Sequence, residues 1–359
     1  MEKPLISFIV VSYNQESLIR EAVESGLAQT YSPLEIVISD DASKDRTFEV
    51  MREVVAGYRG PHSVRLNRNE TNLGMGGHLN RVMQLCRGEF VVGTAGDDVS
   101  LPERVQVIHE AWEKSGRRAT SIFSSYTTIS RNGDVHGIGG LRGQPDDPRL
   151  CWRLDGGLFE FLSDRLPVVN GCSSAWSPAL FKYFGPLTSD LEDLVLSFRT
   201  LAIGQLLYVN RPLLKYRRHE NNVSFFADRD DTRSFEHRER RVRWVDEKTV
   251  GAYDNMLADI ETLHSNGAIS PTERDRLTAE ARRVRSYYAV ERQMIDGSFF
   301  ERLLTLTDTM KQGHVRCALR CTPRALPRPL YRALYLVRDK WRSWARARGL
   351  SPTNGKAGF

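Results

Sequence analysis

Residues 5–12 read LISFIVVS, residues 35–41 read EIVISDD, and residues 89–98 read EFVVGTAGDD. Each segment is a short apolar run rich in β-branched residues, and each ends in small or acidic side chains. Continuous apolar runs of this length are typical of strands buried on both faces of a sheet. The intervening segments carry apolar residues at helical spacing, over 15–29, 45–58 and 75–87. Strands that alternate with helices predict an α/β fold with a mostly parallel sheet flanked by helices.

The pattern changes along the rest of the chain. A short strand at Val64–Leu66, a longer one at Thr120–Ser130, a helix over 189–203 and a last strand at Leu206–Tyr208 complete the predicted α/β part. After about residue 226 the sequence is charged and helical. Ser270, Pro271 and Glu273 form a helix start with a serine N-cap. We therefore predict a catalytic domain over 1–225 and a basic, mainly helical C-terminal extension over 226–359.

Composition indicates a globular, cytoplasmic protein. The 359 residues carry a net charge of +6, and no apolar run approaches the ~20 residues of a membrane-spanning helix. The N-terminus passes directly into a strand-like run, so we expect no secretory signal. Five cysteines without a regular framework fit a reducing compartment.

The positive charge is concentrated near the C-terminus, where residues 311–348 hold eleven Lys and Arg against one acid, Asp339. Five apolar residues there share one helical stripe: Leu330, Leu334, Val337, Trp341 and Trp344. Two interpretations stay open. Residues 327–348 lie on an anionic membrane surface, or they dock on the protein itself or on a partner helix. Nucleic acid is not predicted, because the tail has neither an aromatic platform nor a known binding motif.

Three acidic pairs follow predicted strands or begin a predicted helix: Asp40-Asp41, Asp97-Asp98 and Glu192-Asp193. In parallel sheets, ligands bind beyond the carboxyl ends of the strands. Single acids at such places are often turn formers or caps. For Asp97-Asp98 that role is weakened, since Ser100 and Glu103 are predicted to cap the next helix themselves. Adjacent carboxylates repel unless a cation lies between them, which suits Mn²⁺ or Mg²⁺ at a diphosphate.

Two further side chains fit a nucleotide site but have ordinary explanations. Tyr13 at the end of the first strand offers a flat face to a nucleobase, or it packs the strand end. Asp41 could accept the N3–H of a pyrimidine. Asp193 is favoured in the first helical turn by the helix dipole alone, and becomes a general base only if the remaining site requires one.

These residues occur in motifs that resemble the family 2 glycosyltransferases with the GT-A fold. The resemblance covers roughly residues 4–225. Its motifs are PLISFIVVSYNQE, AQTYSPLEIVISDDASKDRT, NLGMGGHLN, CRGEFVVGTAGDDVSLPERV, LEDLVLSFR and YRRHENNVS. It implies an inverting, metal-dependent transfer of a sugar from a nucleotide-diphosphate donor, UDP or dTDP, to an acceptor hydroxyl. The expected setting is bacterial surface polysaccharide or glycolipid assembly.

The resemblance also implies roles for individual residues. It assigns nucleotide binding to Val11, Ser12, Tyr13, Asp41 and Asp97, metal binding to Asp98 and His219, and base catalysis to Asp193. Arg217 or Arg218 would contact phosphate. Two positions depart from the family pattern: Ala95 stands where an acid is common, and Leu79 where an arginine is common. His78 or one of the two arginines is expected to compensate for the second.

The sequence says less about the acceptor and about alternative functions. Trp152, Asn170-Gly171 and Trp176 suit a glycan or lipid-linked acceptor, but the tryptophans suit a core equally well. Homo-oligomers remain open. A nucleotidyltransferase is disfavoured, because no Gly-rich, basic phosphate loop follows the first strand. A non-catalytic sugar-nucleotide scaffold is disfavoured, because the metal aspartates and a base are both present.

Overall fold

Strands and helices alternate along the first part of the chain, as the sequence predicts. The structure is a computed structural model that describes residues 3–141, 151–154, 157–163, 171–219, 222, 235–311, 326–327 and 329–333. Its strands are β1 (Ile6–Ser12), β2 (Leu34–Asp40), β3 (Ser63–Arg68), β4 (Phe90–Ala95), β5 (Val99–Ser100), β6 (Ala119–Ile129), β7 (Val135–Gly139), β8 (Cys151–Leu154), β9 (Ser174–Trp176) and β10 (Gln205–Arg217). Its helices are α1 (Ile19–Leu27), α2 (Thr47–Ala56), α3 (Gly74–Leu85), α4 (Arg104–Lys114), α5 (Leu158–Leu162), α6 (Ala179–Phe184), α7 (Glu192–Ile203), α8 (Phe235–Ser265), α9 (Pro271–Asp296) and α10 (Phe299–Lys311).

The strands form one sheet in the order β3-β2-β1-β4-β9-β6-β10-β5, with β7 beside β6 and β8 beside β10. The first four are parallel, whereas β9 runs antiparallel to both β4 and β6. Since β1 is central to the parallel half, the carboxyl ends of β1, β2 and β4 lie next to one another. This edge is where the acidic pairs emerge.

Helices cover both faces of the sheet. Alternating side chains of β1 send Phe8 and Val10 into a core with α1, α2 and α4, and send Ile9 into a second core beneath α3 and α7. A strand apolar on both sides is stable only when both faces are covered. This explains why the N-terminal strands read as uninterrupted apolar runs.

The C-terminal helices share the second core. Met256 of α8 and Leu277 of α9 pack in the same cluster as Val195 of α7. The buried guanidinium of Arg199 in α7 binds the Asp259 carboxylate of α8 through two nitrogens, at 2.8 and 3.0 Å. Helix α8 is therefore joined to α7 by apolar packing and by a buried ion pair.

The predicted helix start at Ser270 is confirmed, because its hydroxyl accepts a hydrogen bond from the Glu273 N–H at 3.1 Å. The boundary predicted at residue 225 lies outside the described residues. So does the apolar stripe predicted within 327–348, apart from 327 and 329–333. Within the described ranges, none of the helices combines the length and apolar character needed to cross a bilayer.

The capping box predicted at Ser100 and Glu103 is wrong. Helix α4 begins at Arg104 without a side-chain cap, while Ser100 lies in β5 and pairs with Leu214 of β10. Sheet pairing draws Ser100 away from the helix start, and its hydroxyl instead accepts a hydrogen bond from Arg104 Nη1 at 2.8 Å. Strand β10 is also longer than predicted, with thirteen residues.

Candidate active site

Backbone hydrogen bonds join the loops that follow β1, β2 and β4. The carbonyl of Val11 accepts from the Gly96 N–H, and the carbonyl of Ser12 accepts from the Asp41 N–H, each at 2.9 Å. The loop residues of three neighbouring strands are thus held at one edge of the sheet. The structure brings the residues expected to bind nucleotide to this edge.

Tyr13 lies on the first of these loops and is 40% exposed. The next residue, Asn14, has a positive φ of 53°; its N–H donates to Ser43 Oγ and its side-chain oxygen accepts from the Lys44 N–H, both at 2.8 Å. A positive φ at a non-glycine residue is uncommon, so these bonds hold a costly conformation. The result is a fixed loop that presents the Tyr13 ring to solvent and does not pack it into the strand end.

Asp41 is buried beside the start of α3. Its carboxylate accepts hydrogen bonds from Asn69 Nδ2 at 2.8 Å and from the backbone N–H groups of Leu73 and Gly74, at 3.0 and 3.1 Å. An ionised carboxylate has about four acceptor positions, so most of its capacity holds the protein together. Asp41 therefore anchors the loop that leads into α3.

Asp98 is buried, and only one of its two carboxylate oxygens has a hydrogen-bond partner in the described structure. Its Oδ1 accepts from the Arg217 N–H at 2.9 Å, whereas its Oδ2 is buried without a hydrogen-bond partner in the described structure. Burial, with the Asp97 charge second, raises the pKa of the Asp98 carboxyl well above its usual range. An unpaired buried carboxylate oxygen is costly, and a cation at this position would remove that cost.

His219 reaches the aspartate pair from the end of β10. Its Nε2 lies 2.9 Å from Asp97 Oδ2, and Asn222 Nδ2 lies 3.4 Å from the same oxygen. The two-residue strand β5, which directly follows Asp98, pairs with β10 and so brings this arm of the chain alongside. Three residues assigned to the donor site, Asp97, Asp98 and His219, converge although 121 positions separate Asp98 from His219.

Arg217 fixes the loop beneath this cluster. Its buried guanidinium donates to the Asp97 carbonyl at 3.0 Å, to the Arg131 carbonyl at 2.7 Å and to Glu21 Oε2 at 2.8 Å. Each guanidinium nitrogen donates one hydrogen bond within the protein, so Arg217 is a clamp on the Asp97 loop. The phosphate contact expected of it stays a prediction. His78, the other expected substitute, is buried and bonded to Ser39 Oγ.

The two acids at the start of α7, Glu192 and Asp193, differ in pKa. Burial raises the pKa of Asp193 to about 6. Burial, and then the charge of Asp193, raises the pKa of Glu192 to about 8. Near pH 7 Asp193 is therefore mainly ionised and Glu192 mainly protonated. Two neighbouring carboxyls whose pKa values differ in this way can serve as an acid and a base.

A short turn, Gly171–Ser173, lies between the two acidic clusters. The Gly171 N–H hydrogen-bonds Asp193, and a Cβ at Gly171 would come within 2.7 Å of Glu192 Oε1. The buried Cys172 thiol experiences the charges of both Asp98 and Asp193, and burial raises its pKa well above the usual range. This turn holds the α7 pair close to the Asp98 loop.

The side chain of Arg104 joins β4 to the turn Gly171–Ser173, and the sequence did not predict this role. It is fully buried in α4. Its Nη2 donates to the Gly93 carbonyl of β4 at 2.6 Å and to the Cys172 carbonyl at 3.2 Å. Because its partners are mainly backbone carbonyls, no residue pattern in the sequence signals it.

The segment expected to bind acceptor is only partly described. Trp176 is buried in the core against Gly93 of β4, so it does not offer a ring to a sugar. The side chain of Trp152 and all of Asn170 lie outside the described residues. Among the described members of this group, Gly171 contacts the acidic pair.

The donor set around Asp98 fits a metal that shares its ligands with a bound diphosphate. Among the described residues, no three His, Cys, Asp or Glu side chains are arranged to hold a metal by themselves. Mg²⁺ at a phosphate site normally takes one or two carboxylates, with phosphate oxygens and waters completing the shell. The open Oδ2 of Asp98, with Asp97 and His219 adjacent, meets that smaller requirement.

Comparison with known proteins gives one family match, to the N-terminal part of the chain. Residues 7–153 match the model described as glycosyl transferase family 2. This segment, which is less than half of the chain, carries the sequence pattern of that family. The match includes β1 to β6 and the loop that carries Asp97 and Asp98, so the resemblance seen in the motifs is confirmed. The mostly parallel α/β sheet flanked by helices is as predicted, and C-terminal helices follow it.

The curated relatives cover part of the chain. An uncharacterized glycosyltransferase of Rickettsia typhi is 28% identical over 220 residues, which are 60% of this chain and 65% of the relative. The putative glycosyltransferase EpsE of Bacillus subtilis is 33% identical over 103 residues, 29% of this chain and 36% of its own length. The chain thus spans less than two thirds of the length of these relatives.

Solved structures resemble the chain at low identity. S. aureus TarS 1–349 in complex with UDP-GlcNAc is 15% identical with a TM-score of 0.48, over 86% of this chain and 92% of that chain. The mannosyltransferase PcManGT from Pyrobaculum calidifontis, in complex with GDP-Man and Mn²⁺, is 16% identical with a TM-score of 0.46, over 95% and 88%.

Proposed function

We propose that this protein is an inverting glycosyltransferase that moves a sugar from a nucleotide-diphosphate donor to an acceptor hydroxyl. The observation that carries the proposal is the carboxyl pair at the start of α7, Glu192 and Asp193, which the turn Gly171–Ser173 holds beside the donor cluster. A single ionised carboxylate near a diphosphate site is what a one-step displacement requires. The turn Gly171–Ser173 bonds to Asp193 and, through Arg104, to the strand that leads into Asp97 and Asp98.

Asp193 is the proposed general base. An alcohol at neutral pH is a weak nucleophile, so a base must take its proton as the oxygen attacks the anomeric carbon. The bond from that carbon to the β-phosphate oxygen breaks on the opposite face, which inverts the configuration. A pKa of about 6 keeps Asp193 ionised near neutrality and makes it a stronger base than an ordinary aspartate.

The donor diphosphate is proposed to bind at Asp98 and His219. A divalent cation, Mn²⁺ or Mg²⁺, held by Asp98 and the phosphates would supply stabilisation of the charge on the leaving group. Asp97 holds the His219 ring through the 2.9 Å contact, so the ring is oriented before donor binds. Arg217 keeps both aspartates in place from below.

The nucleoside is proposed to bind at the strand edge, with its base on the Tyr13 ring. Base stacking on an aromatic ring contributes ~1–3 kcal/mol. Asp41 is proposed to complete the base site, either by accepting the pyrimidine imide N–H of UDP or dTDP or by holding the α3 loop against it. Val11 and Ser12 contribute through their backbone.

We propose a glycan or lipid-linked acceptor, in surface polysaccharide or glycolipid assembly, because the family resemblance implies that setting. The second candidate function is a sugar-nucleotide-binding scaffold without turnover. It would need the donor cluster but would leave the raised pKa of Asp193 without a use. The observed pair at α7 therefore favours the enzyme.

The test is thermal-shift binding of UDP, dTDP, GDP and CDP, each with and without Mn²⁺. We expect one pyrimidine diphosphate to stabilise the protein only when metal is present. Asp98→Asn keeps an acceptor for the Arg217 N–H and should lose the metal-dependent shift. Asp193→Asn is the matched control and should keep it. No metal-dependent shift with any nucleotide would contradict the donor-site proposal.

A further inference from the structure

We propose that the outward face of α10 is a membrane-contact surface that inserts into the interface of an anionic lipid bilayer. This face, called the α10 face, consists of Phe299, Phe300, Leu303, Leu304 and Met310. The proposal concerns where the protein binds and does not rest on the chemistry proposed above. Binding can be measured without donor or acceptor.

Helix α10 turns apolar side chains outward and an arginine inward, the reverse of an ordinary amphipathic helix. Phe300 is 74% exposed and Leu304 64% exposed, while Arg302 is only 3% exposed. In an ordinary surface helix the apolar stripe faces the core and the charged residues face water. At 3.6 residues per turn, the five apolar side chains fall within an arc of roughly 140°. An apolar arc of that width turned outward marks an interaction surface.

The inward side of α10 fixes it to the body of the protein. Leu306 packs against Met294 of α9, and Arg302 Nη1 donates to the Leu326 carbonyl at 3.2 Å. Helix α9 packs on α8, which the Arg199–Asp259 ion pair joins to the catalytic helix α7. The outward side chains are therefore presented by a helix held from behind.

Charge decides in favour of a lipid surface over a second copy of the chain. Residues 311–348, which begin at the last residue of α10, carry eleven Lys and Arg against one acid. Two copies that met through the α10 face would bring two segments of like charge close to each other, whereas anionic headgroups attract basic segments. Leu330, four residues beyond Leu326, is also exposed, and it is the first residue of the apolar stripe that the sequence predicts for this basic segment.

The mode of contact is interfacial. None of the described helices is able to span a bilayer, and α10 has thirteen residues, too few to cross the hydrocarbon core. A helix with an apolar face beside basic residues lies in the plane of the headgroups. Such contact would hold the catalytic helix at the surface where lipid-linked acceptors reside.

The experiment is vesicle flotation of the full chain with phosphatidylcholine vesicles, with and without phosphatidylglycerol. The test variant is Phe300→Ser with Leu304→Ser. The control variant is Val135→Ser with Ile138→Ser, which removes equally exposed apolar side chains from β7. We expect wild type and control to float with the anionic vesicles only, and the α10 variant to bind at least about tenfold more weakly. Circular dichroism checks that each variant is folded.

Three outcomes would overturn the proposal. Wild type does not float with anionic vesicles; or the α10 variant floats as well as the control; or wild type is a dimer by light scattering and the α10 variant is a monomer. The third outcome would assign the α10 face to a second copy of the chain.

Discussion

Protonation of the α7 pair gives a quantitative test of the proposed mechanism. With a pKa of about 6, Asp193 is ionised in roughly nine of ten molecules at pH 7 and in roughly one of eleven at pH 5. The active base is the ionised form, so activity falls as the pH drops through the pKa. We expect kcat/KM to decrease about tenfold between pH 7 and pH 5. An ordinary aspartate, with a pKa near 4, would lose almost nothing over the same interval.

Two isosteric variants separate the members of the pair. Asp193→Asn removes the base and should lower kcat by about 10²- to 10⁴-fold while nucleotide binding is kept. Glu192→Gln resembles the protonated form that Glu192 already has near pH 7. It should retain most of the activity and keep the acidic limb of the profile. The assay is release of nucleoside diphosphate, with water as acceptor until the natural acceptor is identified.

The reasoning would be refuted by an acidic limb near pH 4 or by near-normal turnover of Asp193→Asn. Loss of turnover in Glu192→Gln with retention in Asp193→Asn would assign the base to Glu192 instead. Thermal-shift binding of the nucleotide in each variant shows whether a loss comes from the chemical step or from donor binding.

Three further substitutions test other parts of the structure. Tyr13→Ala should weaken nucleotide binding by ~1–3 kcal/mol through lost stacking and, since the residue is exposed, change the melting temperature little; calorimetric titration measures the affinity and a thermal melt measures the melting temperature. Gly171→Ala places a Cβ within 2.7 Å of Glu192 Oε1, so kcat should fall by up to about 100-fold at unchanged nucleotide affinity, and unaltered kcat would contradict this positioning role. Arg199→Met leaves the Asp259 carboxylate buried and unpaired, and should lower the free energy of unfolding in urea by about 3–5 kcal/mol; adding Asp259→Leu should restore part of the loss.

The N-terminal half of the fold and its sheet edge could be predicted from the sequence because local patterns determine them. Strands β1, β2 and β4 are uninterrupted apolar runs, and a parallel sheet places their carboxyl ends along one edge. That rule alone brings Tyr13, Asp41 and Asp97 together. The family motif YRRHENNVS added His219, which no local pattern could place beside Asp97.

The features that sequence reasoning missed depend on contacts between distant segments. Strand β10 contains Pro212 and Lys215 and changes register along β6, so only its first residues read as a strand. Ser100 looked like a helix cap because its pairing with β10 involves just two residues of β5. Arg104 is a charge at a buried helix position, stabilised by carbonyls of β4 and of the turn at 171–173, and charged residues usually indicate an exposed face.

The C-terminal helices also take part in the proposed chemistry, because they hold the segment that leads into the catalytic helix. Asn255 of α8 accepts the Thr188 N–H at 2.8 Å, and Lys248 of α8 binds Asp190 at 2.6 Å. Asp190 in turn accepts the Gly76 N–H at the start of α3, the helix whose entry loop Asp41 anchors. A change of charge in α8 can therefore affect both the proposed donor site and the proposed base. The composition changes after residue 226, but the stabilising contacts join residues on both sides of that position.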